Sequence, residues 1–319
     1  MNIININLFK MILVLFLVLI IVIICIFTKN TRAEEKYLSP EFWDQISFDE
    51  NTFVDYPLVF VHGLAGNLDN WQNTIEIINE NFHKMRILFD DEIYNTYDGK
   101  QTDNIDCWNI TYYNLNPLEE ALHGDIPLYA KRLESMIEII KNITGKDKVI
   151  IIAHSMGGLV ARKYMILNEN NWNSVHKLLT VGTPHKGVAF SPGLIKQLEN
   201  LEENNEFIEN LNSEWNKMGN KNNIKRWGVI GGIKDIEDDN RNRIIDFEIL
   251  PGKTDAAGPG FVRISSAIPL EWEEALNNIG QPDFNTKHYG FRLALQADHR
   301  ELLEHHGTLS GIYWALKNN

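Results

Sequence analysis

The sequence predicts an α/β fold whose sheet is mostly parallel. Three observations carry the prediction: short apolar runs rich in β-branched residues, amphipathic helical patterns between them, and one run, VIIIA at 149–153, without a polar residue. A strand covered by helices on both faces reads as a continuous apolar stretch, whereas a half-exposed strand alternates. In chain order the strand-like runs are 58–61, 110–113, 149–153, 178–181 and 228–230. Between the second and third, Asp125 and Pro127 offer a helix start, Leu133, Met136, Ile137 and Ile140 follow at helical spacing, and Gly145 closes the segment. After the third, Leu159, Val160, Tyr164 and Leu167 share one side of a second helix, and a last helical pattern runs from near Arg300 toward Leu316. Strands alternating with helices imply right-handed crossovers and helices on both faces of the sheet.

Composition narrows the function classes. The chain has 319 residues, 44% hydrophobic and 23% charged, which excludes disordered, collagenous and coiled-coil proteins. A formal net charge of -13 repels phosphate backbones, so nucleic acid is not an expected partner. The two cysteines, Cys25 and Cys107, cannot build a disulfide framework, since the first sits inside an apolar leader. That leader, MILVLFLVLIIVIICIF at 11–27, is uncharged and flanked by Lys10, Lys29 and Arg32. At ~1.5 Å per residue it reaches about 25 Å, a little short of the ~30 Å hydrocarbon core, and it is long for a signal peptide. Residues 1–32 are therefore a signal peptide or an N-terminal membrane anchor. Either outcome leaves 33–319 as one domain outside the cytoplasm, with contact to the membrane through the leader. No repeat or long linker divides this body.

The strongest chemical signal is VIIIAHSMGGLV at 149–160, where a buried strand runs into Ala153-His154-Ser155-Met156-Gly157 and on into a helix. A serine on such a sharp turn needs small residues two before and two after it, and Ala153 and Gly157 supply them. The turn exposes the Ser155 hydroxyl at the C-terminal edge of the sheet and sets the Met156 amide at a helix N-terminus. The segments AHSMGGLVARKYM, VFVHGLAGN at 59–67 and VGTPHKG at 181–187, with FIENLN at 207–212 and FVRISSA at 261–267, resemble the α/β-hydrolase lipases and esterases, in particular the bacterial triacylglycerol lipases. The resemblance covers most of 57–316 and implies an α/β-hydrolase fold.

It also implies a set of roles. The amides of Leu64 and Met156 become the oxyanion hole, two preorganised donors typically worth about 3 kcal/mol each. His62 orients the loop and is not a triad member. The order serine, acid, histidine leaves His176, His185, His288, His299, His305 and His306 as possible bases. His299 lies just before the last helix, where the family carries its base, while His185 belongs to a loop whose histidine lacks that role. Asp255, in GKTDAAGPGFVRISSA, matches the family's acid, although Ala256 replaces the usual glycine; Asp235, beyond the strand near 228–230, is the alternative. The insertion at 191–223, with apolar residues spaced for two amphipathic helices, is by the same resemblance a lid or acyl-pocket wall.

These features together predict a serine hydrolase that cleaves carboxylic esters of lipids or small molecules through an acyl-enzyme, with Ser155, Asp255 and His299 as its triad. It requires no metal or organic cofactor, and His83 and His123 show no ligand spacing. Acyl transfer, thioester or amide hydrolysis would use the same residues. An inactive membrane-tethered binding protein on the same scaffold is the rival from another class.

Overall fold

The computed structural model describes residues 52–100, 105–188, 195–222, 226–233, 262–270, 272–275, 279–284 and 286–318, all within one compact unit, 36–319. The apolar run at 11–27, and with it the expected signal or anchor, lies outside the described residues. Among those described, no helix is long and apolar enough to cross a membrane.

Among the described residues nine strands form one sheet: β1 (Leu58–Val61), β2 (His83–Ile87), β3 (Ile93–Asn95), β4 (Cys107–Asn114), β5 (Val149–His154), β6 (Val175–Val181), β7 (Trp227–Gly232), β8 (Asp283–Phe284) and β9 (Phe291–Leu295). Their spatial order is β3-β2-β4-β1-β5-β6-β7-β9-β8. The interior pairs are parallel, and antiparallel pairing closes both edges, β3 on β2 and β8 on β9. The expected architecture is present, with helices on both faces.

The helices are α1 (Gln72–Ile78), α2 (Pro117–His123), α3 (Ile126–Thr144), α4 (Met156–Met165), α5 (Glu169–Asn173), α6 (Lys196–Glu199), α7 (Glu206–Asn222), α8 (Ile264–Ala267), α9 (Trp272–Ala275), α10 (Glu301–Glu304) and α11 (His306–Leu316). The apolar strands are explained by two cores, one on each face. Val59, Val61, Ile151 and Ala153 face α3, α4 and α7. Their neighbours Leu58, Phe60, Ile150 and Ile152 face α1 and α11. Alternate side chains point to opposite faces of a strand, so the runs 58–61 and 149–153, with a core on each side, present apolar residues to both.

Local signals place the helices. Asp125 caps α3, its carboxylate accepting the Leu128 N–H at 2.8 Å, and Gly145, at φ 69°, ends it. Within 191–223 the described residues, 195–222, include α6 and α7. α7 buries Ile208, Leu211 and Trp215 against the core of α3 and α4. The last helical pattern is broken at His305, which caps α11, Nδ1 accepting the Gly307 N–H at 3.0 Å.

Candidate active site

β5 is buried along its whole length and delivers Ser155 at its C-terminal end. The Ser155 N–H still reaches the Val181 carbonyl of β6 at 2.8 Å, so the turn is anchored to the sheet. The backbone then bends sharply: Ser155 has φ 53° and ψ -130°, a conformation that a side chain makes costly. A serine at this helix-start position ordinarily spends its hydroxyl on capping the helix. Here no such cap bond forms, and the hydroxyl lies 2.8 Å from His299 Nε2.

The turn closes because two glycines permit close approach. A Cβ on Gly157 would stand 2.2 Å from the His62 carbonyl oxygen, and one on Gly63 would stand 2.6 Å from the Ser155 Cβ. The loop after β1 therefore lies directly against Ser155. Three donors converge on Gly63 and its neighbour. His62 Nδ1 donates to the Gly63 carbonyl at 2.9 Å, the Gly66 N–H does so at 3.1 Å, and the Tyr112 hydroxyl donates to the His62 carbonyl at 3.0 Å. In a trans peptide the carbonyl and the following N–H point in opposite directions. Pinning the Gly63 carbonyl thus aims the Leu64 N–H the other way, and among the described residues no acceptor meets it. The Met156 N–H, first in α4, likewise has no backbone acceptor among them, as expected for the first turn of a helix.

His62 is fully buried and its pKa is lowered to about 4 by loss of hydration. It is neutral at working pH. With Nδ1 donating to Gly63, Nε2 accepts the Thr111 hydroxyl at 2.8 Å. Both ring nitrogens are committed to holding the loop.

The loop that carries His299 has its own supports. His154 Nε2 donates to the carbonyl of His299 at 2.8 Å, and the two rings sit 4.6 Å apart. Burial, aided by the neighbouring His299, pushes the His154 pKa well down. Asp298 accepts the amides of Arg300 and Glu301, both at 2.9 Å, which fixes the turn from His299 into α10. Sequence reasoning missed this use of His154, whose signal was modest: it is the one polar residue of an otherwise apolar strand.

Of the histidines considered as bases, only His299 bonds to Ser155 among the described residues. His185 is buried behind α4, Nδ1 accepting from Arg162 and Nε2 donating to the Thr180 hydroxyl, each at 3.0 Å. His176 donates to the Lys317 carbonyl at 3.2 Å, and His288 lies beside Tyr289 at the start of β9. Asp255 and Asp235 both fall outside the described residues. Among those described, no group of three or more His, Cys, Asp or Glu gathers as a metal site.

A doubly covered parallel sheet, a serine on a strained strand-to-helix turn, and a histidine on a later loop within hydrogen-bond distance define an α/β-hydrolase of the lipase and esterase type. More narrowly, the chain belongs to the family described as the PGAP1-like alpha/beta domain, which matches residues 52–278. Triacylglycerol lipase 2 of Saccharomyces cerevisiae is 29% identical over 170 residues, covering 46% of this chain and 50% of the relative. The GPI inositol-deacylase of Kluyveromyces lactis is 26% identical over 271 residues, covering 76% of this chain and 24% of the relative. The chain thus spans half or less of the length of these two relatives. Among solved structures, mature Bacillus licheniformis lipase BlEst2 superposes with a TM-score of 0.52 at 18% identity, covering 84% of this chain and 94% of that one. The lin2722 product of Listeria innocua gives 0.51 at 15%, covering 83% and 95%. At these identities the structural likeness speaks to the fold.

Proposed function

We propose that the protein is a serine hydrolase that removes a fatty acyl group from a lipid alcohol through an acyl-enzyme on Ser155. The single observation that carries this reading is the 2.8 Å contact between His299 Nε2 and the Ser155 hydroxyl, made by a serine whose hydroxyl is not spent on a helix cap. His299 accepts the hydroxyl proton as Oγ attacks the ester carbonyl. The amides of Leu64 and Met156 stabilise the resulting oxyanion. Collapse of the tetrahedral intermediate expels the alcohol, which takes its proton from His299. Water then attacks the acyl-enzyme, gives a proton to His299, and releases the carboxylic acid as Ser155 recovers its own. Asp255 is the acid that orients His299 in this proposal, and Asp235 is its competitor. The run at 11–27 would export the domain as a cleaved signal or, if retained, hold it at a membrane on its extracytoplasmic side.

The deacylase relative aligns with more of the chain than the yeast lipase does. An acyl ester on an inositol hydroxyl of a glycolipid is therefore the first substrate to try, and triacylglycerol the second. Fatty acid release from both, in mixed micelles, tests the reading. Release by the wild type that disappears in Ser155→Ala, and in one of Asp255→Asn or Asp235→Asn, is expected. No release from either lipid or from p-nitrophenyl esters contradicts it.

A further inference from the structure

The loop that carries Leu64 holds a second strained residue. Ala65 has φ 53°, a left-handed conformation in which its methyl group is unfavourable. A strained backbone persists only where its surroundings hold it. The turn bond from Gly66 to Gly63 supplies one restraint. The other comes from a different strand: the Ala65 N–H donates to the hydroxyl of Tyr113 on β4 at 3.2 Å. That phenol is itself fixed. Its ring packs against those of His62 and Tyr129, and its hydroxyl donates, at a longer 3.4 Å, to Gln197 Oε1 on α6. Gln197 is 5% exposed, and its Nε2 donates to the Glu120 carbonyl of α2 at 3.0 Å, which turns Oε1 toward Tyr113. A hydroxyl has one proton and two lone pairs. With the proton directed at Gln197, a lone pair is left facing Ala65. Burial pushes the phenol's pKa upward, so it keeps its proton.

We propose that Tyr113 is a positioning residue for the oxyanion loop: its hydroxyl holds the strained Leu64–Ala65 segment in the geometry that aims the Leu64 amide at the reacting oxygen, and Gln197 of the insertion sets the direction of that hydroxyl. The inference rests on the hydrolase reading above and deepens it. It makes α6, through Gln197, a support of the oxyanion loop, coupled to a segment distant in sequence.

The test is the kinetics of Tyr113→Phe, Gln197→Ala and the double variant on a soluble p-nitrophenyl ester, together with the rate of fluorophosphonate labelling and the melting temperature. Loss of an oxyanion donor costs about 100- to 1,000-fold, and a displaced one costs less. Tyr113→Phe is expected to lower kcat about tenfold and to slow labelling similarly, with KM within about twofold. Gln197→Ala is expected to lower kcat about threefold. The double variant should be no worse than Tyr113→Phe, because both act through one hydroxyl. A purely structural role would lower the melting temperature and leave the kcat of the folded fraction intact. An unchanged kcat and labelling rate in Tyr113→Phe overturns the proposal, as do losses that multiply in the double variant. If Tyr113→Phe does not fold, Gln197→Ala decides alone: a fall in kcat at constant KM supports the proposal, and an unchanged kcat overturns it. Wild-type protein that never labels at Ser155 removes the hydrolase reading as well, whereas equal labelling of wild type and Tyr113→Phe removes only the role of Tyr113.

Discussion

Ser155 pays for its exposure with backbone strain. At φ 53° and ψ -130° glycine is at ease and serine is not. Ser155→Gly should therefore abolish activity and raise stability by about 1 kcal/mol, whereas Ser155→Ala, which keeps a Cβ, abolishes activity without that gain. Urea denaturation of the three proteins measures the difference, and equal stabilities of the glycine and alanine variants would contradict the account. At this scale the sequence was readable where chemistry forces a local pattern. Ser155 drew attention because a strained strand-to-helix turn admits only small residues at Ala153 and Gly157, and His299 through the family resemblance, which places a histidine loop just before the last helical pattern. Tyr113 and His154 were not legible as supports. Each acts on a backbone group remote in sequence, Ala65 and His299 respectively, and nothing in the neighbouring residues records such a partner. The acid is a different case, since both candidates lie outside the described residues.

Among the elements, α7 is tied firmly to the sheet and to α4. Trp215 is 1% exposed. Its ring and that of Trp227 on β7 both lie against the Arg162 guanidinium of α4, with centroids 4.8 and 5.0 Å from it. Arg162 also donates to Asn212 Oδ1 at 2.9 Å, and Asn212 returns a bond to the His185 carbonyl at 2.9 Å. Burial lowers the Arg162 pKa to about 9, so the cation is costly and its aromatic neighbours offset part of that cost. Trp215→Ala should cost about 3–5 kcal/mol, from the lost ring and the cavity left behind. A loss below ~1 kcal/mol in denaturant unfolding would show that α7 is loosely held. Element legibility followed the layering of the sheet. Leu58–Val61 and the strand at 149–154 read cleanly because both of their faces are buried. β2, HKMRI, was missed because only alternate residues are buried. β9 was missed because it carries Arg292, which is paired with Asp283 of the edge strand and bonded to the Glu274 carbonyl. The amphipathic spacing of α7 marked a helix but not which partner its apolar face would meet.

For the whole molecule, the two cores enclose several neutral histidines, and this sets an acid limit on stability. Burial lowers the pKa of His62 to about 4 and depresses His154 and His185 strongly. Unfolded, each titrates near 6.5. Between about 6.5 and about 4 the unfolded chain binds protons that the folded chain refuses, so stability rises with pH across this window and is lost as pH falls through it. Each such group contributes a slope approaching ~1.4 kcal/mol per pH unit. The melting temperature should be nearly level from pH 7.5 to 6.5 and drop steeply toward pH 4.5; a flat profile down to pH 5 would mean that these rings take up protons in place. The claim on which the functional account turns is that the Ser155 hydroxyl is an activated nucleophile. Its most direct measurement is labelling by a fluorophosphonate followed by mass spectrometry of the modified peptide. The account predicts one label per chain, on Ser155, lost in Ser155→Ala and strongly slowed in His299→Ala. Folded wild-type protein that takes up no label, or takes it elsewhere, would contradict it.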